Sequence, residues 1–109
     1  MARERPRLPK IDPEMQRWCA LIEQEISSWP DVSSKPMFGL AGYYRGHTIF
    51  AVIPRTRAME AANAVHAKLP GRGWIPFLLE DESDIPRALR HIERAYDRAR
   101  PTPRSRVKR

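Results

Sequence analysis

The sequence predicts an α+β fold in two layers, an antiparallel β-sheet of three to five strands with N- and C-terminal amphipathic helices. Three observations carry that expectation. Apolar residues recur at helical spacing near both ends, over about 12–28 and 85–99. Between them lie runs rich in aromatic and β-branched residues, of strand length. Those runs are punctuated by glycine and proline, and no internal repeat links them.

The first helix is expected from about Asp12 to Ser28. Asp12 suits the N-cap, Pro13 the first helical position and Glu14 the positive end of the helix dipole. Met15, Trp18, Cys19, Ile22, Ile26 and Trp29 form one apolar stripe, with Gln16, Arg17, Glu23, Gln24 and Ser27 on other faces. Trp29-Pro30-Asp31 ends it, because a residue before proline disfavours the α region. Cys19 falls on the stripe and reads as a buried structural thiol.

A β-hairpin follows, with a first strand over about Lys35–Tyr44, a turn at Arg45-Gly46 and a second strand over His47–Ile53. The second strand is apolar on both faces, as expected of one that is central or covered on both sides. Gly39 and Gly42 interrupt the first strand and signal a bulge or a close approach. Over Thr56–Leu69 propensity and period disagree, since alanines favour a helix while Val65, Ala67 and Leu69 alternate with polar residues. We expect a short helix or loop to about Asn63, then a short strand. Trp74–Glu80 reads as another strand, placed at an edge or bulged by Pro76. The last helix is capped by Ser83 or Asp84 and carries Ile85, Ala88, Leu89, Ile92, Ala95, Tyr96 and Ala99 on one stripe.

Charge divides the chain more sharply than composition does. The formal net charge of its 109 residues is +7. Residues 1–10 carry Arg3, Arg5, Arg7 and Lys10 against Glu4, and residues 100–109 carry Arg100, Arg104, Arg106, Lys108 and Arg109 against no acid. These read as flexible basic tails, kept extended by Pro6, Pro9, Pro101 and Pro103, around a nearly neutral domain at 11–99. Any preference for an acidic partner therefore attaches first to the tails. No apolar run approaches the roughly 20 residues that span a bilayer, so no membrane partner is expected. The basic start lacks the apolar segment of a secretion signal, and a single cysteine fits a reducing compartment, so the expected location is the cytoplasm.

Catalytic constellations are not legible. His47, His66 and His91 sit in three different elements without metal-ligand spacing, and one cysteine completes no zinc pattern. Glu80, Asp81, Glu82 and Asp84 are better explained as the charged entry to a helix N-terminus than as a metal cluster. The glycines match neither a P-loop nor a dinucleotide fingerprint. No cofactor, metal or catalytic residue is expected, and the chain reads as non-enzymatic. What stands out is Arg87, Arg90, Arg94 and Arg98, which fall within roughly 80° of one another opposite the apolar stripe of the last helix. This ridge reads either as a phosphate-following surface continued by Arg100 and the tail, or as a solvated face paired with Glu93 and Asp97. Tyr43, Tyr44 and His47 near the turn read either as an interaction surface, able to line a pocket or stack on bases, or as core and cross-strand pairs.

Lys35-Pro36-Met37-Phe38-Gly39, Gly42-Tyr43-Tyr44-Arg45-Gly46 and Ile49-Phe50-Ala51 together resemble the N-terminal domain of the TfoX family. Members of that family show an Arg-x-Met-Phe-Gly-Gly start, an aliphatic-Tyr segment, a glycine turn and a Met-Phe-Ala strand. The last helix, with Ala88-Leu89 and Ala95-Tyr96, is also similar to the end of such domains, as it is to the MmcQ/YjbR-like group. Leu40 stands where the family has a second glycine. Val65-His66-Ala67-Lys68 is the nearest counterpart of the family's Leu-Tyr-Leu-Lys strand, which favours a strand there. The resemblance implies an antiparallel sheet with flanking helices, a bacterial regulator linked to competence and to DNA, and no catalytic residues. The leading expectation is thus nucleic-acid binding by the Arg87–Arg98 ridge and the basic tails. The alternative is a protein-interaction or self-association module built on the aromatic hairpin.

Overall fold

The computed structural model describes residues 8–99 and has the expected two layers. Its elements run α1 (Pro13–Ile26), β1 (Val32–Met37), β2 (Leu40–Arg45), β3 (Thr48–Pro54), β4 (Ala64–Leu69), β5 (Gly73–Leu78), a 3-10 turn (Glu82–Asp84) and α2 (Ile85–Arg98). The five strands form one antiparallel meander in sequence order. Both helices pack on one face, so Trp18, Cys19, Ile22 and Ile26 of α1 meet Ala88, Ile92 and Ala95 of α2 over Tyr43, Phe50, Ile53 and Val65. Among the described residues no helix is long and apolar enough to cross a membrane.

Local chemistry explains the helix boundaries. Asp12 accepts a hydrogen bond from the Met15 amide at 2.8 Å and caps α1, with Pro13 at its first position. The acidic run before α2 caps itself as the 3-10 turn. Asp81 accepts from the Ser83 amide at 2.7 Å, and Asp84 reaches back to the amides of Glu80 at 2.7 Å and Asp81 at 3.2 Å. Asp84 therefore stands at the N-cap of α2 without a side-chain hydrogen bond to a backbone amide of that helix.

The hairpin region differs from the sequence expectation. The run expected as one strand over Lys35–Tyr44 is two strands, with β1 starting at Val32 and a tight turn at Phe38-Gly39 between the paired Met37 and Leu40. Phe38 has φ 51° and Gly39 φ 85°, positive at both central positions as a type I′ turn requires. Gly39 is thus a turn residue, while Gly42 is a close approach, since a Cβ there would lie 3.1 Å from Met37 Sδ. The expected turn at Gly46 is present, and the sheet's bulge falls beside it. Tyr43 pairs with Ala51 and Tyr44 with Ile49, leaving Phe50 as the extra residue of β3. The extra residue lets Phe50 and Ala51 both turn to the helix face, where both are fully buried.

The ambiguous segment resolves as expected, into a connection over 55–63 followed by β4. That connection is stitched to the start of the described chain by Ile11 N to Thr56 O, 3.1 Å, and Ala58 N to Pro9 O, 2.9 Å. β3 is the central strand and is buried on both faces over most of its length, while β5, with Pro76, lies at one edge. Pro36 lies on the opposite edge strand, β1, a placement that blunts edge-to-edge pairing.

Candidate nucleic-acid interface

The apolar stripe of α2 turns its basic ridge outward. Ala88, Ile92, Ala95 and Tyr96 are buried, and Arg87, Arg90, Arg94 and Arg98 are all exposed. Arg87 is held by Asp84, Nη2 to Oδ1, at 2.8 Å. Among the described residues, Arg90, Arg94 and Arg98 have no carboxylate within 4.0 Å, and neither Glu93 nor Asp97 pairs with them. The ridge is thus split: its first member is engaged by an acid, and the following three are free for an anion.

Topology adds cations to the free part. The β2–β3 turn, the β4–β5 turn and the C-terminal end of α2 lie at one end of the sheet. There Tyr96 Oη donates to Pro30 O at 2.7 Å, and Gly46 N donates to Asp31 O at 3.0 Å. Lys68 and Arg98 line one cleft at this end, and Arg72 sits exposed in the β4–β5 turn. The opposite end collects acids at the 3-10 turn and the start of α1, and there Arg17 pairs with Glu14 at 3.6 Å and with Glu82 at 3.3 Å. The ridge therefore runs from the acidic 3-10 turn towards the end that holds Lys68 and Arg72. Lys68 and Arg72 were not legible as site residues, because only the meander brings the start of β3 and the end of β4 beside the end of α2. The tail residues Arg100, Arg104, Arg106, Lys108 and Arg109 lie outside the described residues, as do positions 1–7 of the N-terminal tail.

The expected aromatic surface needs a correction. Tyr43 is only 2% exposed, because its strand position turns it to the helix face. Its hydroxyl donates to Glu23, which also accepts from Arg55 Nη2 at 2.9 Å. Burial, with the Glu23 carboxylate second, raises the Tyr43 hydroxyl above its ordinary range. Tyr43 is thus a core residue tying α1 to the sheet and offers no surface. Tyr44, one register position on, is half-exposed with the Lys35 ammonium 5.3 Å from its ring centre, and His47 is exposed in the turn. The exposed aromatic of the hairpin is instead Phe38, 89% exposed.

The remaining reactive groups serve the fold. Cys19 is 1% exposed, and burial with nearby Glu23 pushes its thiol up to about 12, so it stays protonated at neutral pH. Among the described residues no group of three or more His, Cys, Asp or Glu is placed to hold a metal ion. Arg45 stacks 4.1 Å from the centre of the Tyr96 ring and donates to Tyr96 O at 3.0 Å, bracing the end of α2 rather than facing a ligand.

His66 carries a pH prediction. It is 1% exposed, and its Nε2 stands 3.6 Å from Glu60 Oε1, beyond hydrogen-bond reach. Burial depresses its affinity for a proton, with Glu60 opposing and His91 assisting. The unfolded chain therefore takes up this proton near its ordinary 6.5 before the folded one does. Stability is full above that pH and declines as pH falls below it, by at most about 1.4 kcal/mol per pH unit. Asp84, held low by the Glu80 amide first and Arg87 next, adds a separate loss as pH falls through its own depressed value. Urea midpoints measured from pH 7.5 to 5 will show the first decline, and His66→Gln will flatten it. An equally steep decline in His66→Gln would assign it to another group.

Comparison with protein-family models, with curated proteins and with solved structures finds no match.

Proposed function

We propose that this chain is a non-enzymatic nucleic-acid-binding domain that holds phosphates with Arg90, Arg94 and Arg98, joined by Lys68, Arg72 and the basic segment 100–109. The observation that carries the reading is three exposed guanidinium groups on one helix face without a carboxylate partner among the described residues. A solvated helix face of mixed charge normally satisfies its cations with acids one turn away. Here Glu93 stands at that spacing from Arg90 and Asp97 from Arg94, and neither pair forms. Contacts of this kind position a backbone and read little sequence, so weak sequence preference and strong salt dependence are expected. The resemblance of the hairpin residues to the TfoX N-terminal domain supports a regulatory setting for such binding in the cytoplasm.

The test is an anisotropy titration with labelled DNA across salt concentrations. Removing three phosphate contacts by Arg90→Ala, Arg94→Ala and Arg98→Ala together will weaken binding roughly 50–100-fold at 0.15 M salt and flatten the salt slope by about 2–3. Deleting 100–109 will weaken it further. Affinity that ignores both the substitutions and the salt would sink the proposal.

One observation favours a second reading, docking of a protein partner on the β1–β2 turn. Phe38 is held almost wholly in solvent at a backbone angle that a bulky residue rarely adopts. Phe38→Asn should abolish such a contact while leaving DNA affinity unchanged.

A further inference from the structure

We infer that the cleft lined by Lys68 and Arg98 receives an unpaired nucleobase, which makes single-stranded nucleic acid the ligand class of the polyanion surface. The inference rests on the nucleic-acid reading above and narrows it. The cleft has a volume of about 250 Å³ and is lined by Thr48, Ile49, Lys68, Pro70, Arg98 and Ala99. That is below the roughly 300–1,000 Å³ of sites for drug-sized ligands and suits one planar ring system.

Its walls and its rim have different chemistry. Ile49, Pro70 and Ala99 are its apolar lining residues, Thr48 is the one uncharged polar one, and Lys68 and Arg98 bring the charge. Lys68 and Arg98 come from different elements, β4 and the last turn of α2, and neither has a carboxylate within 4.0 Å among the described residues. An apolar slot flanked by two cations without carboxylate partners matches one base with the phosphates on either side of it. A duplex keeps its base faces stacked and cannot offer one to the slot, whereas a single strand can. Trp74, half-exposed beside Lys68 with the ammonium 5.7 Å from its ring centre, stands where a neighbouring base could stack. From the cleft, Arg94 and Arg90 continue the charge track up α2.

The experiment uses the full chain and three labelled probes of equal length: an oligothymidylate, its abasic counterpart with the same phosphates, and a duplex. The oligothymidylate is expected to bind about tenfold or more tighter than the abasic strand at the same salt, since a stacked base contributes at that level. It should also bind tighter than the duplex. Ile49→Trp, which fills the slot without changing charge, should reduce oligothymidylate binding to the abasic level, with the urea midpoint confirming that the variant folds. Equal affinity for all three probes with a steep salt slope would overturn the base site and leave the phosphate reading standing. Binding to none of them at 50 mM salt would overturn both. Because the abasic comparison is made on the unaltered chain, it decides the matter even if Ile49→Trp does not fold.

Discussion

Replacing Phe50 with alanine will destabilise the domain by about 3–5 kcal/mol, a large part of the 5–15 kcal/mol that typically holds a domain of this kind together. Phe50 is fully buried and reaches the core only because β3 carries a bulge opposite Tyr43 and Tyr44. There it stacks on Trp29 at 6.4 Å between ring centres and meets Tyr96 edge-on at 5.4 Å, while Trp29 and Tyr96 meet at 5.0 Å. The three rings join the segment after α1, the central strand and the last turn of α2. Truncation removes the buried area, leaves a cavity between both helices and the sheet, and deletes two aromatic contacts of about 0.5–1.5 kcal/mol each. Phe50→Leu keeps most of the volume and should cost under half as much. Urea denaturation of both variants checks the ordering. A loss near 1 kcal/mol for Phe50→Ala would show that the ring is not central to the core. Because the end of α2 leans on these rings through Tyr96, partial fraying in Phe50→Ala should also weaken anion binding at Arg94 and Arg98 more than at Arg90.

The same region shows where a sequence is readable and where it is not. Both helices were legible because cap, proline and apolar period agree at each, and five strands fall within the expected range. The ridge on α2 was legible as geometry, since helical spacing alone places four arginines on one side. Whether acids consume it was not, because Glu93 and Asp97 satisfy the spacing rule for Arg90 and Arg94 and yet stay apart from them. Tyr43 and Tyr44 look alike in sequence, and only the register, which sets Tyr43 opposite Ala51 on the helix face, makes one core and the other surface. The cleft at Lys68 and Arg98 depends on two residues 30 positions apart meeting through the sheet. The first hairpin was missed for a different reason. Its turn is Phe-Gly, whereas the residue pairs that announce a type I′ turn are Asn-Gly and Asp-Gly.

That missed turn gives opposite expectations at adjacent positions. Gly39→Ala will destabilise the domain by about 2–4 kcal/mol. At φ 85° an L-residue is strained, and the added Cβ would lie 2.7 Å from Arg57 Cγ and 2.8 Å from Thr56 Oγ1. Relief by moving the loop is opposed by the Gly39 carbonyl, which accepts from the amides of Arg55 at 2.9 Å, Thr56 at 2.9 Å and Arg57 at 3.1 Å. Displacing the turn unmakes those bonds together, at about 1 kcal/mol each. Phe38→Asn will instead stabilise the domain by about 0.5–1 kcal/mol, raising Tm by a few degrees. Asparagine tolerates the left-handed region better, and an 89% exposed ring gives up almost no burial. A phenylalanine kept where asparagine would be more stable, on a turn clamped by three amides, has the properties of a preorganised anchor, its strain offset by the surrounding bonds. Thermal melts of the two variants decide the point. If Phe38→Asn lowers Tm, the ring already holds something within this chain, and the partner-docking reading loses its one support.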